Sequence, residues 1–137
     1  LRISDIQRVR AEHIIDGGLV FNPHKTRNSK TKTVSIPLHA IALRFVSKNA
    51  GRLFDTYTDQ YVRRVLHKIA EHLEWTIKVG THTARHTFGT NFIELGGDVV
   101  TLKEYMGHGK IQTTMQYVHL SDRRKREQIS VFDHFNK

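Results

Sequence analysis

His82, Arg85, His108 and Tyr117 stand in that order along the second half of the chain, and their types suit one kind of chemistry. A tyrosine hydroxyl, with a reference pKa near ~10, is a poor nucleophile at neutral pH. To attack phosphorus it needs positive charge around the phosphate and a donor for the oxygen that leaves. Two imidazoles and a guanidinium supply much of that. A further arginine and a lysine would complete the set, and the front of the chain offers Arg2 together with Lys25, Lys30 and Lys32.

Taken singly, each of these residues has a plainer explanation. His82 and His86 lie four apart, a spacing at which two imidazoles can share a metal. The zinc-protease form of that motif needs Glu directly after the first His, where this chain has Thr83, and no nearby carboxylate or cysteine offers a third ligand. No metal is expected, and no other cofactor, since the chain has no glycine-rich phosphate loop. Gly107-His108 is what a helix end looks like: glycine terminates it and histidine interacts well with the dipole there. A lone Tyr117 would be an ordinary core residue, and the basic stretch from Asn22 to Lys32 an ordinary solvated loop. Their ordered occurrence together carries the weight that none has alone.

The elements that must position these residues can be read from pattern. Leu1 to about Arg8 reads as the end of a helix. Leu19-Val20-Phe21 and Thr33-Val34-Ser35-Ile36 read as strands joined by the basic hairpin loop, with a short strand before them around Val9 to His13. Pro37 ends the second strand, and His39 to Ser47 looks helical. The clearest helix runs from about Thr58 to Leu73, with Tyr61, Val62, Val65, Leu66, Ile69, Ala70 and Leu73 on one face and Thr58 or Asp59 as cap. A helix over roughly Ala84 to Leu95 should stop at Gly96-Gly97, and Asp98 should cap another over Val99 to Met106 that Gly107 ends. A short helix should follow through Tyr117, and a last one from about Ser121. The expectation is a mainly α fold with one small antiparallel β-sheet, an α+β domain.

Length and charge narrow the class. A chain of 137 residues makes one domain with a real core and is too short for two. Its 22 Lys and Arg against 13 acids give a net charge of +9, which favours a polyanionic partner, nucleic acid first among them. There is no run of about eighteen apolar residues for a membrane helix and no signal-peptide stretch. The absence of cysteine excludes disulfides and thiolate sites and agrees with a reducing, cytoplasmic setting. No initiator Met is present, so residues 1–137 are expected to be a fragment of a longer protein.

Leu1-Arg2-Ile3-Ser4-Asp5-Ile6, Lys25-Thr26, Ile36-Pro37-Leu38, His82-Thr83-Ala84-Arg85-His86-Thr87-Phe88, Met106-Gly107-His108 and Thr113-Thr114-Met115-Gln116-Tyr117 together resemble the catalytic domain of the tyrosine recombinase, or phage integrase, family. The resemblance runs from residue 1 to about residue 121. It implies that Arg2 and Arg85 clamp the non-bridging oxygens of a scissile phosphate, for which a planar, permanently charged fork is well suited. It further implies that Lys25 protonates the leaving 5′ oxygen, that His82 and His108 hydrogen-bond the phosphate and assist proton transfer, and that Tyr117 is the nucleophile of a 3′-phosphotyrosyl intermediate. Asp5 would hold Arg2 in place. Lys30 and Lys32 compete with Lys25 for the lysine role.

The function so implied is site-specific breaking and rejoining of double-stranded DNA, with self-association into a tetramer on DNA. The family's N-terminal DNA-arm and core-binding region would then lie outside this segment. A type IB topoisomerase-like DNA-relaxing enzyme and a non-catalytic DNA-binding module are the rival readings. Beyond Ser121 the basic residues Arg123, Arg124, Lys125 and Arg126 precede Ile129, Val131, Phe132 and Phe135. That apolar stripe either folds back on its own domain or, as the resemblance suggests, docks on a neighbouring protomer.

Overall fold

Asp16 and Gly17 both take positive φ, +48° and +75°, which is the twist a two-residue hairpin needs. They join strand β1 (Ile14–Ile15) to β2 (Gly18–Phe21), and β3 (Val34–Pro37) completes a three-stranded antiparallel sheet in the order β1-β2-β3. The computed structural model describes residues 1–24, 33–46, 51–55, 57–118, 129–130 and 133. The register pairs Leu19 with Ile36 and Phe21 with Val34. This puts Leu19, Phe21 and Val34 on a buried face with Val9 and Leu53. Residues 9–13 do not form the expected short strand: Ala11–His13 is a 3₁₀ turn, because the His13 ring accepts the Arg10 N–H at 2.8 Å and curls the chain before it pairs at Ile14.

The front of the chain also departs from expectation. Helix α1 is a single turn (Ile3–Ile6), and Arg2 before it is extended, with φ −81° and ψ 154°. Leu1 to Arg8 is therefore a turn that opens after Arg2, not the tail of a longer helix. Helix α2 (Ala40–Leu43) is shorter than the predicted stretch; the His39 ring caps its start, and Ser47 lies outside the described residues.

The remaining helices follow their sequence signals closely. Helix α3 (Asp59–His72) begins at Thr58, whose hydroxyl accepts the Tyr61 N–H, so Thr58 and not Asp59 is the cap. Of its apolar face Ala70 is buried and Tyr61, Ile69 and Leu73 stay exposed, while Val62 and Leu66 line a groove that α1 and α4 also line. Helix α4 (Thr83–Glu94) ends at the Gly96-Gly97 pair. Asp98 caps α5 (Val99–Met106) by accepting the N–H groups of Val100 and Thr101 at 2.9 Å each. Gly107, at φ +59°, ends it, and α6 (Gln112–Met115) leads to Tyr117.

Ile93, Leu102, Met106 and Tyr117 form a second buried cluster among α4, α5 and the chain after α6. The two cores meet at Gly107: a Cβ there would lie 2.9 Å from Val34 Cγ2, so the end of α5 rests on β3 with no room for a side chain. The helix predicted from Ser121 lies outside the described residues apart from 129–130 and 133. No helix among the described residues is long and apolar enough to cross a membrane.

Candidate active site

Arg2 is placed by the turn that starts α1. Its guanidinium lies 4.0 Å from the carboxylate of buried Asp5, whose other oxygen accepts the His24 backbone N–H at 3.0 Å. Asp5 thus ties Arg2 to the point where the chain leaves β2 toward Lys25. Lys25, Lys30 and Lys32 themselves lie outside the described residues.

Arg85 comes from the first turn of α4 and reaches across to the end of α5. It donates to the Met106 carbonyl, one of the acceptors a helix C-terminus leaves unpaired, and contacts His108 Nε2 at 3.3 Å. Gly107 makes this possible: its left-handed backbone turns the chain sharply, so that His108 comes back over the helix end. The His108 Nδ1 lies 2.9 Å from the hydroxyl of Thr114, which is fully buried. Arginine has no acceptor, so His108 Nε2 must offer its lone pair and Nδ1–H donates to Thr114. The ring is thereby fixed in position and tautomer.

The electrostatics agree with one shared site. Burial and the positive charges of Arg85, Arg2 and His86 push His108 down to about 4. Arg85 is itself lowered, first by burial and then by Arg2, against the pull of Tyr117 and Asp5. Burial raises the Tyr117 phenol, and the Arg85 charge opposes it. Arg85 therefore links the set: it feels Arg2 and Tyr117, and His108 feels both Arg85 and Arg2, although the four come from separate stretches of the chain.

Tyr117 is held differently from the other three. Its ring is 3 % exposed and packs in the second core cluster. Gly89 of α4 lies directly under it; a Cβ at that position would come within 2.9 Å of two ring carbons. Among the described residues the hydroxyl bonds neither Arg85 nor His108; its partner is His86 Nδ1, at 3.1 Å. His82 sits at the N-cap of α4, exposed, and its ring makes no hydrogen bond among the described residues. His82 and His86 acquire no third partner that would make them a metal-holding group among the described residues.

Three residues of this arrangement, Thr114, His86 and Gly89, are not among the site residues that the sequence predicts. Thr114 was visible only as part of the Thr113-to-Tyr117 motif, and its buried hydroxyl needs the fold to be found. His86 was weighed as a metal ligand, although it follows Arg85 directly and lies one helical turn beyond His82. Gly89, one turn beyond Arg85, carried the signal that a mid-helix glycine gives of close approach by a neighbour.

Comparison with known proteins points the same way. A model of the phage integrase family matches residues 1–124. The integrase of Escherichia phage P2 is 32% identical over 130 residues, which are 95% of this chain and 37% of that protein. The chain spans about a third of such curated relatives, 34% in the case of the integrase of Haemophilus phage HP1. The solved catalytic domain of bacteriophage HP1 integrase superimposes with a TM-score of 0.69 at 26% identity, over 95% of this chain and 73% of that one. The fold is also that of XerH site-specific recombinase bound to its difH substrate, with TM-score 0.62, 18% identity, and 91% and 41% of the two chains covered.

Proposed function

The chain belongs to the phage integrase family, and we propose that residues 1–137 are the catalytic part of a longer site-specific recombinase that cuts and rejoins double-stranded DNA. The observation that carries this reading is the meeting of Arg85, His108 and Tyr117 around the end of α5, with the Arg2 charge felt by both Arg85 and His108.

The chemistry requires no metal and no nucleotide. Tyr117 Oη attacks the scissile phosphorus, forming an O–P bond as the P–O5′ bond breaks. The 5′ oxygen leaves with a proton from Lys25. Arg2 and Arg85 hold the non-bridging oxygens, so that charge gathering on the phosphorane meets two guanidiniums that are already in place. Arg85 donates to the Met106 carbonyl and contacts the His108 ring, and a phosphate is a stronger, charged acceptor for the same guanidinium. His108 Nε2, which carries only a lone pair while it faces Arg85, takes up a proton beside the phosphate's negative charge and donates to it, and exposed His82 adds a further donor. One phosphodiester is exchanged for another, so attack by a 5′ hydroxyl on the phosphotyrosine reseals DNA without an energy source.

The partner is double-stranded DNA, supported by the charge of +9 and by related recombinases held on their DNA. The whole protein assembles as a tetramer on two sites, in the bacterial cytoplasm. The test is to incubate the full-length protein with two duplexes carrying its native site, and separately with one supercoiled circle. Exchange of strands between the duplexes is expected. Relaxation of the circle without exchange would indicate a topoisomerase-like enzyme, and binding without either would indicate a DNA-binding module.

A further inference from the structure

We infer that His86 is the base that takes the proton from Tyr117 as its oxygen attacks phosphorus, a role separate from those of His82 and His108. The inference rests on the recombinase reading above. A general base must lie within hydrogen-bond reach of the proton it removes. His86 Nδ1 is 3.1 Å from the Tyr117 hydroxyl, with the two rings 5.6 Å apart, and no other histidine bonds that hydroxyl among the described residues. His108 is already committed, with Nδ1 on Thr114 and Nε2 on Arg85. His82 faces solvent.

Burial makes a base necessary. The Tyr117 ring is sealed in the core, and its phenol is harder to ionise than a free one. Water does not reach a phenol so enclosed as freely as it reaches the surface. The His86 side chain is itself exposed, so its other nitrogen opens to solvent. It forms a path from the buried hydroxyl to bulk water. As the O–P bond forms, the Tyr117 O–H bond breaks and Nδ1–H forms on His86. The resulting imidazolium releases its Nε2 proton to water. On religation the Nδ1 proton returns to the departing phenolate and water restores Nε2. The charged groups around His86 are Tyr117 itself, Arg85 beside it on α4 and His108 beyond α5, whose titration responds to the His86 charge.

The experiment uses the full-length recombinase on a nicked suicide DNA substrate and follows single-turnover formation of covalent adduct across the range in which imidazole titrates, about pH 5 to 8. His86→Leu removes the acceptor; His86→Asn keeps an acceptor near the Nδ1 position that cannot act as a base. Both variants are expected to bind DNA as the wild type does and to cleave about a hundredfold more slowly or worse. Both should also lose the fall in rate at acid pH. In the His86→Asn background, a fluorinated tyrosine at position 117, with a more acidic phenol, should recover most of the lost rate. A near-normal rate in His86→Asn would overturn the inference, reducing His86 to a support for the hydroxyl. So would a slow variant that fluorination does not improve. If His86→Leu does not fold, the Asn variant carries the test alone. Absence of adduct from the wild type would sink the recombinase reading itself, whereas wild-type adduct with an unaffected His86→Asn variant sinks only the base.

Discussion

His108 is kept neutral by burial and by the positive charges of Arg85, Arg2 and His86, and its ring is held by Arg85 on one side and Thr114 on the other. Its ring is expected to titrate near 4 in the free protein, against 6.5 for an unperturbed histidine. The sign for stability follows from this depression. Protonation favours the unfolded chain, so the contribution of a neutral His108 is complete above about pH 6.5 and is lost as pH falls toward 4. Ring resonances followed by NMR through that window should show the low midpoint, and His108→Gln should flatten the acid loss of thermal stability. Adding a DNA duplex should move the midpoint upward, because phosphate both draws Arg85 away and adds negative charge. A midpoint near the ordinary histidine value in the free protein would mean that the ring is neither buried nor set beside Arg85 and Arg2. Much of this site was legible from the residues themselves: Arg2, Arg85, His108 and Tyr117 are chemically distinctive and ordered. The His86–Tyr117 contact was not, because it joins residues 31 apart through tertiary packing that no local spacing encodes.

Helix α4 carries Arg85 and His86 on its first turns and offers Gly89 as the floor for the tyrosine ring, so one element sets both the charge and the seat of the proposed nucleophile. Gly89→Ala should push the ring outward, since its Cβ would stand 2.9 Å from ring carbons. The expected cost is about 1–3 kcal/mol, the usual result of overpacking a core. Denaturant titration measures that cost, and faster nitration of Tyr117 measures the ring's exposure; unchanged stability and nitration would show that the ring is not seated on α4. Elements with local punctuation were readable in advance. Asp98 and Gly107 bracket α5 because a cap and a left-handed stop act within one turn of the chain. The β1–β2 hairpin has its local signal in Asp16-Gly17, where an Asp-Gly pair suits two positive φ angles. The length of α1 was not readable, because Leu1-Arg2-Ile3 carries no cap residue and Arg2 becomes extended only through its tertiary role beside Asp5.

Over the whole molecule, the excess of basic residues suits a long-range attraction to DNA that is independent of sequence, and on the proposed reading the site then acts on one phosphate. Affinity for non-cognate duplex should fall linearly with salt on logarithmic axes, with a slope of roughly 0.9 per phosphate contacted. Lys25→Ala should slow cleavage far more than it weakens binding, measured as adduct rate against dissociation constant at one salt concentration; equal losses would make Lys25 a backbone contact and pass the lysine role to Lys30 or Lys32. The central claim is that Arg2, Arg85 and His108 gather around a phosphate that Tyr117 attacks. The most direct measurement is to trap the covalent complex of the full-length protein on a suicide substrate, digest both components and identify the peptide that carries the nucleotide by mass spectrometry. The account predicts a 3′-phosphonucleotide on the peptide containing Tyr117, absent from Tyr117→Phe. A nucleotide on any other residue, or an undiminished adduct in Tyr117→Phe, would contradict it.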